Sequence, residues 1–130
     1  MRYILDADCI IHTLTGHGET INVLKNLTAD DIAVSLITVG EIYEGAFTST
    51  NPQLHLDIFR EFFAPFHLLS LNEPIMERFA EIRSYLRRRG ELISDFDLLI
   101  GVTALYYDLT VLTYNKRHFQ RIPDLKIYPY

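Results

Sequence analysis

The sequence predicts an α/β protein, with a central, mostly parallel sheet of four or five short strands held between two layers of helices as an α/β/α sandwich. Three observations predict it. Short apolar runs recur along the chain, and between them lie segments whose apolar residues fall at helical spacing. Strands joined through helices run parallel, since a parallel pair needs a crossover connection. The chain has 130 residues, 48% apolar and 22% charged, which suffices for one buried core and not for a second domain. A single domain over 1–130 is therefore expected.

The elements follow in order. Tyr3-Ile4-Leu5 is a short apolar run closed by an acid, as in a buried strand with Asp6 at its carboxyl end. Ile21, Leu24 and Leu27 mark a short amphipathic helix over 19–27. Ile32-Ala33-Val34 is a second buried strand, after which Thr38 opens a helix running to Phe47. Asn51-Pro52 breaks the chain, and Leu54, Ile58, Phe59, Phe62 and Phe63 mark the next helix. A third strand is expected at Leu68-Leu69-Ser70-Leu71. Asn72-Glu73-Pro74 then supplies a capping residue, an acid and a first-turn proline, and Gly90 stands where a glycine ends the helix. The segment from Ser94 to Tyr107 is apolar over most of its circumference, so it is a buried helix. Val111-Leu112-Thr113 and Leu125-Lys126-Ile127 complete the strands.

Charge and composition narrow the function. Seventeen Asp and Glu against twelve Lys and Arg give a net charge of −5 and a pI near 5.4. Bulk positive charge is thus excluded as the means of holding a polyanion. An acidic protein can still act on nucleic acid if its carboxylates gather around divalent cations and its basic residues cluster. Arg83, Arg87, Arg88 and Arg89 form one cluster, and Lys116, Arg117 and Arg121 another. The single cysteine, Cys9, excludes an internal disulfide and a cysteine-based metal site. No run reaches the roughly eighteen apolar residues of a membrane span. Asp6 interrupts the stretch a secretory signal would keep apolar, so a cytoplasmic protein is expected.

The acids fall at telling positions. Asp6 closes the first strand, Glu41 lies one turn into the helix after the second, and Asp97 lies one turn into the buried helix. Asn115 follows the fourth strand. A parallel sheet flanked by helices collects such positions at the carboxyl ends of its strands. Carboxylates gathered there repel one another unless a cation neutralises them, and an all-oxygen set suits Mg²⁺ or Mn²⁺ better than zinc. Each residue also has a plain structural reading. Thr38-Val39-Gly40-Glu41 has the spacing of a capping box, and Ser94-Asp95-Phe96-Asp97 repeats it with Asp. Asp6 and Asp8 could be solvated loop acids. Three acids in the order needed for one site outweigh those readings, and Asp97 runs directly into Leu98-Leu99-Ile100, where its charge needs a partner.

Four segments resemble the PIN-domain ribonuclease family, most closely its VapC-type toxins. They are Tyr3-Ile4-Leu5-Asp6-Ala7-Asp8, the segment Ser35 to Gly45 containing Glu41, the segment Ile93 to Gly101 containing Asp97, and Leu112 to Phe119 followed by Ile122-Pro123-Asp124-Leu125. The resemblance implies metal-dependent hydrolysis of RNA, with Asp6, Glu41 and Asp97 holding one or two Mg²⁺ or Mn²⁺ ions and Asn115 as a fourth catalytic group. Asp8, Thr38, Asp95 and Thr113 are secondary candidates, and Lys116 and Arg117 candidates for RNA contact. It further implies a homodimer and a VapB-type antitoxin partner. The sequence departs from the pattern in three places: Asp8 replaces a common Asn, Gly101 a usual Ala, and neither Asn115 nor His118 supplies the fourth acid.

Two rival readings compete. Asp6-Ala7-Asp8 also resembles the opening of haloacid-dehalogenase-type phosphatases, but that family needs a later lysine followed by an Asp pair, and only Asp124 lies beyond Lys116. A catalytically degenerate PIN domain, kept as a binding module, is the other; the missing fourth acid favours it and the three retained acids argue against it.

Overall fold

The computed structural model describes residues 1–129. Five strands form one sheet: β1 (Tyr3–Leu5), β2 (Ile32–Ser35), β3 (His67–Leu69), β4 (Thr110–Leu112) and β5 (Lys126–Ile127). Their order is β3-β2-β1-β4-β5, and every pairing is parallel. The helices are α1 (Ala7–Leu14), α2 (Thr20–Leu24), α3 (Leu36–Phe47), α4 (Pro52–Phe63), α5 (Glu73–Arg88), α6 (Asp95–Tyr107) and α7 (Lys116–Phe119). The architecture is the expected α/β/α sandwich, with a sheet that is wholly parallel.

Topology explains how the two helical layers arise. From β1 the chain moves outward through β2 to β3, then returns to β4 on the other side of β1. Crossovers are right-handed, so reversing direction along the sheet puts the later helices on the opposite face. Two cores result. Leu5, Ile32, Val34 and Leu112 face Cys9 and Ile10 of α1, Val39 and Ile42 of α3, and Phe59 and Phe63 of α4. Ile4, Ala33, Leu69 and Val111 face Ile75 and Leu86 of α5, Ile100 and Val102 of α6, and Phe119 of α7. Alternate strand residues thus serve opposite layers, as the pleat requires. Helix α6 contacts α3, α5, α7 and β4, which accounts for its apolar circumference.

Several boundaries differ from the sequence reading. Helix α1 was not anticipated, because Ile10, Ile11 and Thr13 are β-branched and weak helix formers. It is nucleated by Asp6, whose Oδ1 accepts from the Ala7 N–H at 2.8 Å. Helix α3 starts at Leu36 rather than Thr38, since Ser35 Oγ caps it by accepting from the Ile37 N–H at 3.1 Å. The Thr38 to Glu41 spacing is therefore no capping box; both residues lie inside the helix. Helix α2 is shorter than expected, β3 begins and ends earlier than Leu68–Leu71, and α7 is a short helix with no clear signal in sequence. The start of α5 matches expectation: Asn72 Oδ1 accepts from the Ile75 N–H at 2.9 Å, and Gly90 takes φ +67°. Among the described residues, no helix is long and apolar enough to cross a membrane.

Candidate active site

The chain reverses its course across the sheet between β1 and β4, and ligands of parallel α/β sheets lodge at such a switch point. Asp6 and Thr113 are the first residues beyond these two strands, whose last paired residues are Leu5 and Leu112. The Thr113 hydroxyl donates to Asp6 Oδ2 at 2.8 Å, while Asp6 Oδ1 holds the start of α1. Asp6 is 5% exposed and Thr113 wholly buried. Two residues further on, in the first turn of α1, Asp8 Oδ2 accepts from the Tyr114 N–H at 3.1 Å.

Helix α6 brings the third acid. Ser94 Oγ caps the helix by accepting from the Asp97 N–H at 3.1 Å. That bond leaves the Asp97 carboxylate free to meet the loop after β4. Asp97 Oδ2 accepts from Asn115 Nδ2 at 3.3 Å and stands 3.4 Å from His118 Nδ1, itself 2.8 Å from Asn115 Nδ2. Three consecutive residues, Thr113, Tyr114 and Asn115, therefore each hold one carboxylate: Asp6, Asp8 and Asp97. The Asn115 N–H closes this loop onto Thr113 Oγ1 at 2.9 Å.

Glu41 and Thr38 come from α3, three residues apart and so on one face. Thr38 is wholly buried. Among the described residues, the buried side-chain oxygens without a hydrogen bond are Asp8 Oδ1, Thr38 Oγ1 and Glu41 Oε1. Leaving a buried polar atom unsatisfied costs about 1–3 kcal/mol, so these three oxygens, all in the candidate set, are available to a ligand that reaches them.

The charges of these acids act on one another. Burial, then the charge of Asp8 and less strongly that of Asp97, pushes the Asp6 carboxyl up to about 7, against the bonds from Thr113 and Ala7. Burial raises Glu41 as well, helped by Asp97, Glu44 and Asp8. Asp8 is raised by burial, against the bond from Tyr114 and the nearby His12. Carboxylates that resist ionising in this way would be relieved by a nearby positive charge, which removes the cause of the resistance.

The remaining candidates divide. Asp95 does not turn to this group; Arg83 Nε donates to its Oδ1 at 2.8 Å. Lys116 and Arg117 open α7 next to Asn115, Arg117 exposed and Lys116 half-buried. The arginine cluster on α5 is largely engaged within the chain: Arg88 with Ser84, Arg89 with Glu91, and Arg83 as above. Arg121 donates to the Glu91 and Leu92 carbonyls. Phe59 and Phe63 are buried, with Phe62 and Phe66 packed against them. Tyr114 carries contacts that sequence reading did not single out. Its hydroxyl accepts from the Thr20 N–H at 3.1 Å and the Thr20 hydroxyl at 2.9 Å, and its ring lies 4.7 Å from that of His12. No spacing rule marks such a residue, because its hydrogen-bond partners lie 94 and 106 positions away.

The donor set fits a hard divalent cation: the acids and Thr38 offer oxygen only, and three of those oxygens are unsatisfied. Among the described residues, no three His, Cys, Asp or Glu side chains are already gathered as a metal cage.

A parallel α/β/α sandwich with acids at its switch point defines a class of proteins whose ligands lodge at the carboxyl ends of the strands, and comparison with known proteins narrows it. Residues 3–125 match the PIN domain family. The chain is 29% identical to the tRNA(fMet)-specific endonuclease VapC of Salmonella typhimurium over 98% of its length and 96% of that protein. It is 30% identical to Ribonuclease VapC1 of Haemophilus influenzae strain R2866, covering 97% and 96%. The DNA-bound VapBC structure from Salmonella typhimurium superposes with a TM-score of 0.90 at 29% identity, covering 98% and 97%. VapBC-1 from nontypeable Haemophilus influenzae gives 0.87 at 29%, with the same coverage. The chain belongs to the PIN domain family. Within it, its relatives are the VapC ribonucleases.

Proposed function

We propose that the chain is a metal-dependent endoribonuclease that hydrolyses RNA phosphodiester bonds, the toxin of a VapBC toxin–antitoxin pair that inhibits translation. The observation that carries this reading is the meeting of Asp6, Asp8 and Asp97 on one three-residue loop, with Glu41 electrostatically coupled to two of them. The VapC relatives supply the substrate class. Residues 1–130 act as one PIN domain, in the cytoplasm where RNA is available.

Asp6, Glu41 and Asp97 would hold one or two Mg²⁺ or Mn²⁺ ions, directly or through water, with Asp8 and Thr38 offering their unsatisfied oxygens nearby. Such a cation supplies a water of lowered pKa and offsets charge on the phosphate and the leaving oxygen. The chain's own groups do the rest. Thr113 and Asn115 fix the rotamers of Asp6 and Asp97, so the acids need no reorganisation when substrate arrives. Glu41 Oε1 can accept a hydrogen bond from an attacking water and orient it. Lys116 and Arg117 sit beside this centre and contact the RNA backbone, which positions the strand without reading its bases. Asp95, held by Arg83, has a structural role in this scheme.

The partners follow from the same reading. A VapB-type antitoxin covers the cleft, and two copies of the chain form a homodimer. The test is to incubate the purified protein with total RNA, with Mg²⁺, with Mn²⁺, and with chelator, and to map the cut ends. Cleavage in either metal and none in chelator is expected. Asp6→Asn and Asp97→Asn should each lower the rate at least 100-fold while keeping the fold by circular dichroism. Undiminished cleavage in chelator, or in both variants, would overturn the proposal. Release of phosphate from a small phosphomonoester, with RNA left intact, would favour the phosphatase reading.

A further inference from the structure

We propose that Tyr114 is a positioning residue, latching the connection between α1 and α2 as a fixed wall beside the acids, against which the RNA strand is aligned. The inference rests on the ribonuclease reading for the substrate and on geometry for the latch. Tyr114 reaches two ways. Its backbone N–H holds Asp8, and its hydroxyl accepts both hydrogen bonds from Thr20. Thr20 is wholly buried, although the residues just before it, Thr15 to Glu19, are all exposed. The hydroxyl therefore anchors an otherwise exposed connection at its far end.

Two further observations show that the latch is built into the chain. Gly18 takes φ +86°, and a Cβ there would run into the Tyr114 hydroxyl. Only glycine gives that backbone conformation and that close approach together. At the near end, His12 lies one turn after Asp8 on α1, and its ring packs on Tyr114. The His17 N–H then donates to the His12 carbonyl at 2.8 Å, folding the connection back toward the ring. Tyr114 thus ties the connection at both ends and joins it to Asp8. What the wall presents is the exposed pair His12 and His17, whose ring N–H groups can donate to phosphate or base oxygens. A substrate held against a mobile wall would bind more weakly, because ordering the wall would be charged to binding.

The test uses Tyr114→Phe, which keeps the ring, the backbone N–H to Asp8 and the stacking on His12 while removing the hydroxyl. Hydrogen exchange by mass spectrometry should show residues 15–20 exchanging at least tenfold faster, with the sheet and α6 unchanged. Steady-state cleavage of an RNA oligonucleotide should show KM raised about three- to tenfold and kcat within twofold, a split that general destabilisation would not produce. Thr20→Val, which removes one of the two donors, should shift both readouts the same way by less. Unchanged exchange at 15–20 in Tyr114→Phe overturns the latch. Faster exchange with an unchanged KM, or a fall confined to kcat, overturns the positioning role. A wild-type protein that cuts no RNA overturns the ribonuclease reading and the positioning role with it, while the exchange experiment still decides the latch.

Discussion

Asp6 serves two demands with one carboxylate. Oδ1 caps α1 and Oδ2 accepts from Thr113, so both oxygens are oriented before any ligand binds. Its burial makes that orientation costly when the group is charged. With a folded carboxyl near 7 and an ordinary value of 3.8, the folded protein keeps a proton through the interval in which the unfolded chain has lost it. The resulting stabilisation is complete below pH about 4 and disappears as pH rises through about 7. Glu41 and Asp8, raised by burial in the same direction, add to the trend. Thermal melts in chelator should therefore show a midpoint that falls between pH 5 and pH 8. Asp6→Asn should flatten part of that slope and exceed the wild type at pH 8 by about 1–2 kcal/mol, a few degrees in a domain of this size. A wild-type midpoint independent of pH would show that Asp6 ionises freely in the folded chain.

At the scale of elements, Gly101 shows how packing overrides local preference. A glycine inside a helix costs about 1 kcal/mol relative to alanine, and the sequence alone makes it look like a defect in α6. In the structure a Cβ at this position would overlap Ile122 Cδ1 and touch Leu125 and Phe119. The glycine lets α7 and the chain beyond it close on α6, and so keeps Asn115 beside Asp97. Gly101→Ala alone should be nearly neutral or destabilising by up to about 1 kcal/mol, since overpacking offsets the gain in helix propensity. In an Ile122→Val background, which removes the obstructing methyl, the same change should stabilise, as denaturant melts of the four proteins would show. Destabilisation of equal size in both backgrounds would refute the steric account. The same distinction explains what the sequence could disclose. Helices α5 and α6 were legible because Asn72, Pro74, Ser94 and the apolar spacing all agree. Helix α1 was hidden, since its residues are weak helix formers and its cap is a residue read for chemistry. The Thr38 to Glu41 spacing imitated a cap that Ser35 provides. Asp6, Glu41 and Asp97 could be picked out from their order along the chain, whereas the links from Thr113, Tyr114 and Asn115 to the acids depend on which strand lies beside β1.

For the whole molecule, the order β3-β2-β1-β4-β5 decides where the acids meet, because it sets β4 against β1 and sends α6 to the opposite layer from α3. Acids from both layers then share the carboxyl end of one sheet. The fold thereby brings like charges together and leaves buried oxygens unsatisfied, a combination that lowers the stability of the ion-free protein. A ligand that binds only the folded state returns stability as RT ln(1 + [L]/Kd), about 1.4 kcal/mol at ten times Kd. Mg²⁺ or Mn²⁺ at millimolar concentration should accordingly raise the melting midpoint by a few degrees. The rise should be larger at pH 8 than at pH 6, because at the lower pH the cation must displace the protons that burial keeps on Asp6 and Glu41. Asp97→Asn should lose most of the rise at both pH values, whereas Asp95→Asn, altering an acid committed to Arg83, should keep it. Scanning fluorimetry across a metal titration reads the three proteins at both pH values. Equal shifts in wild type and Asp97→Asn would mean that the cation binds elsewhere on this acidic surface, and the convergence at the switch point would then have no bearing on metal binding.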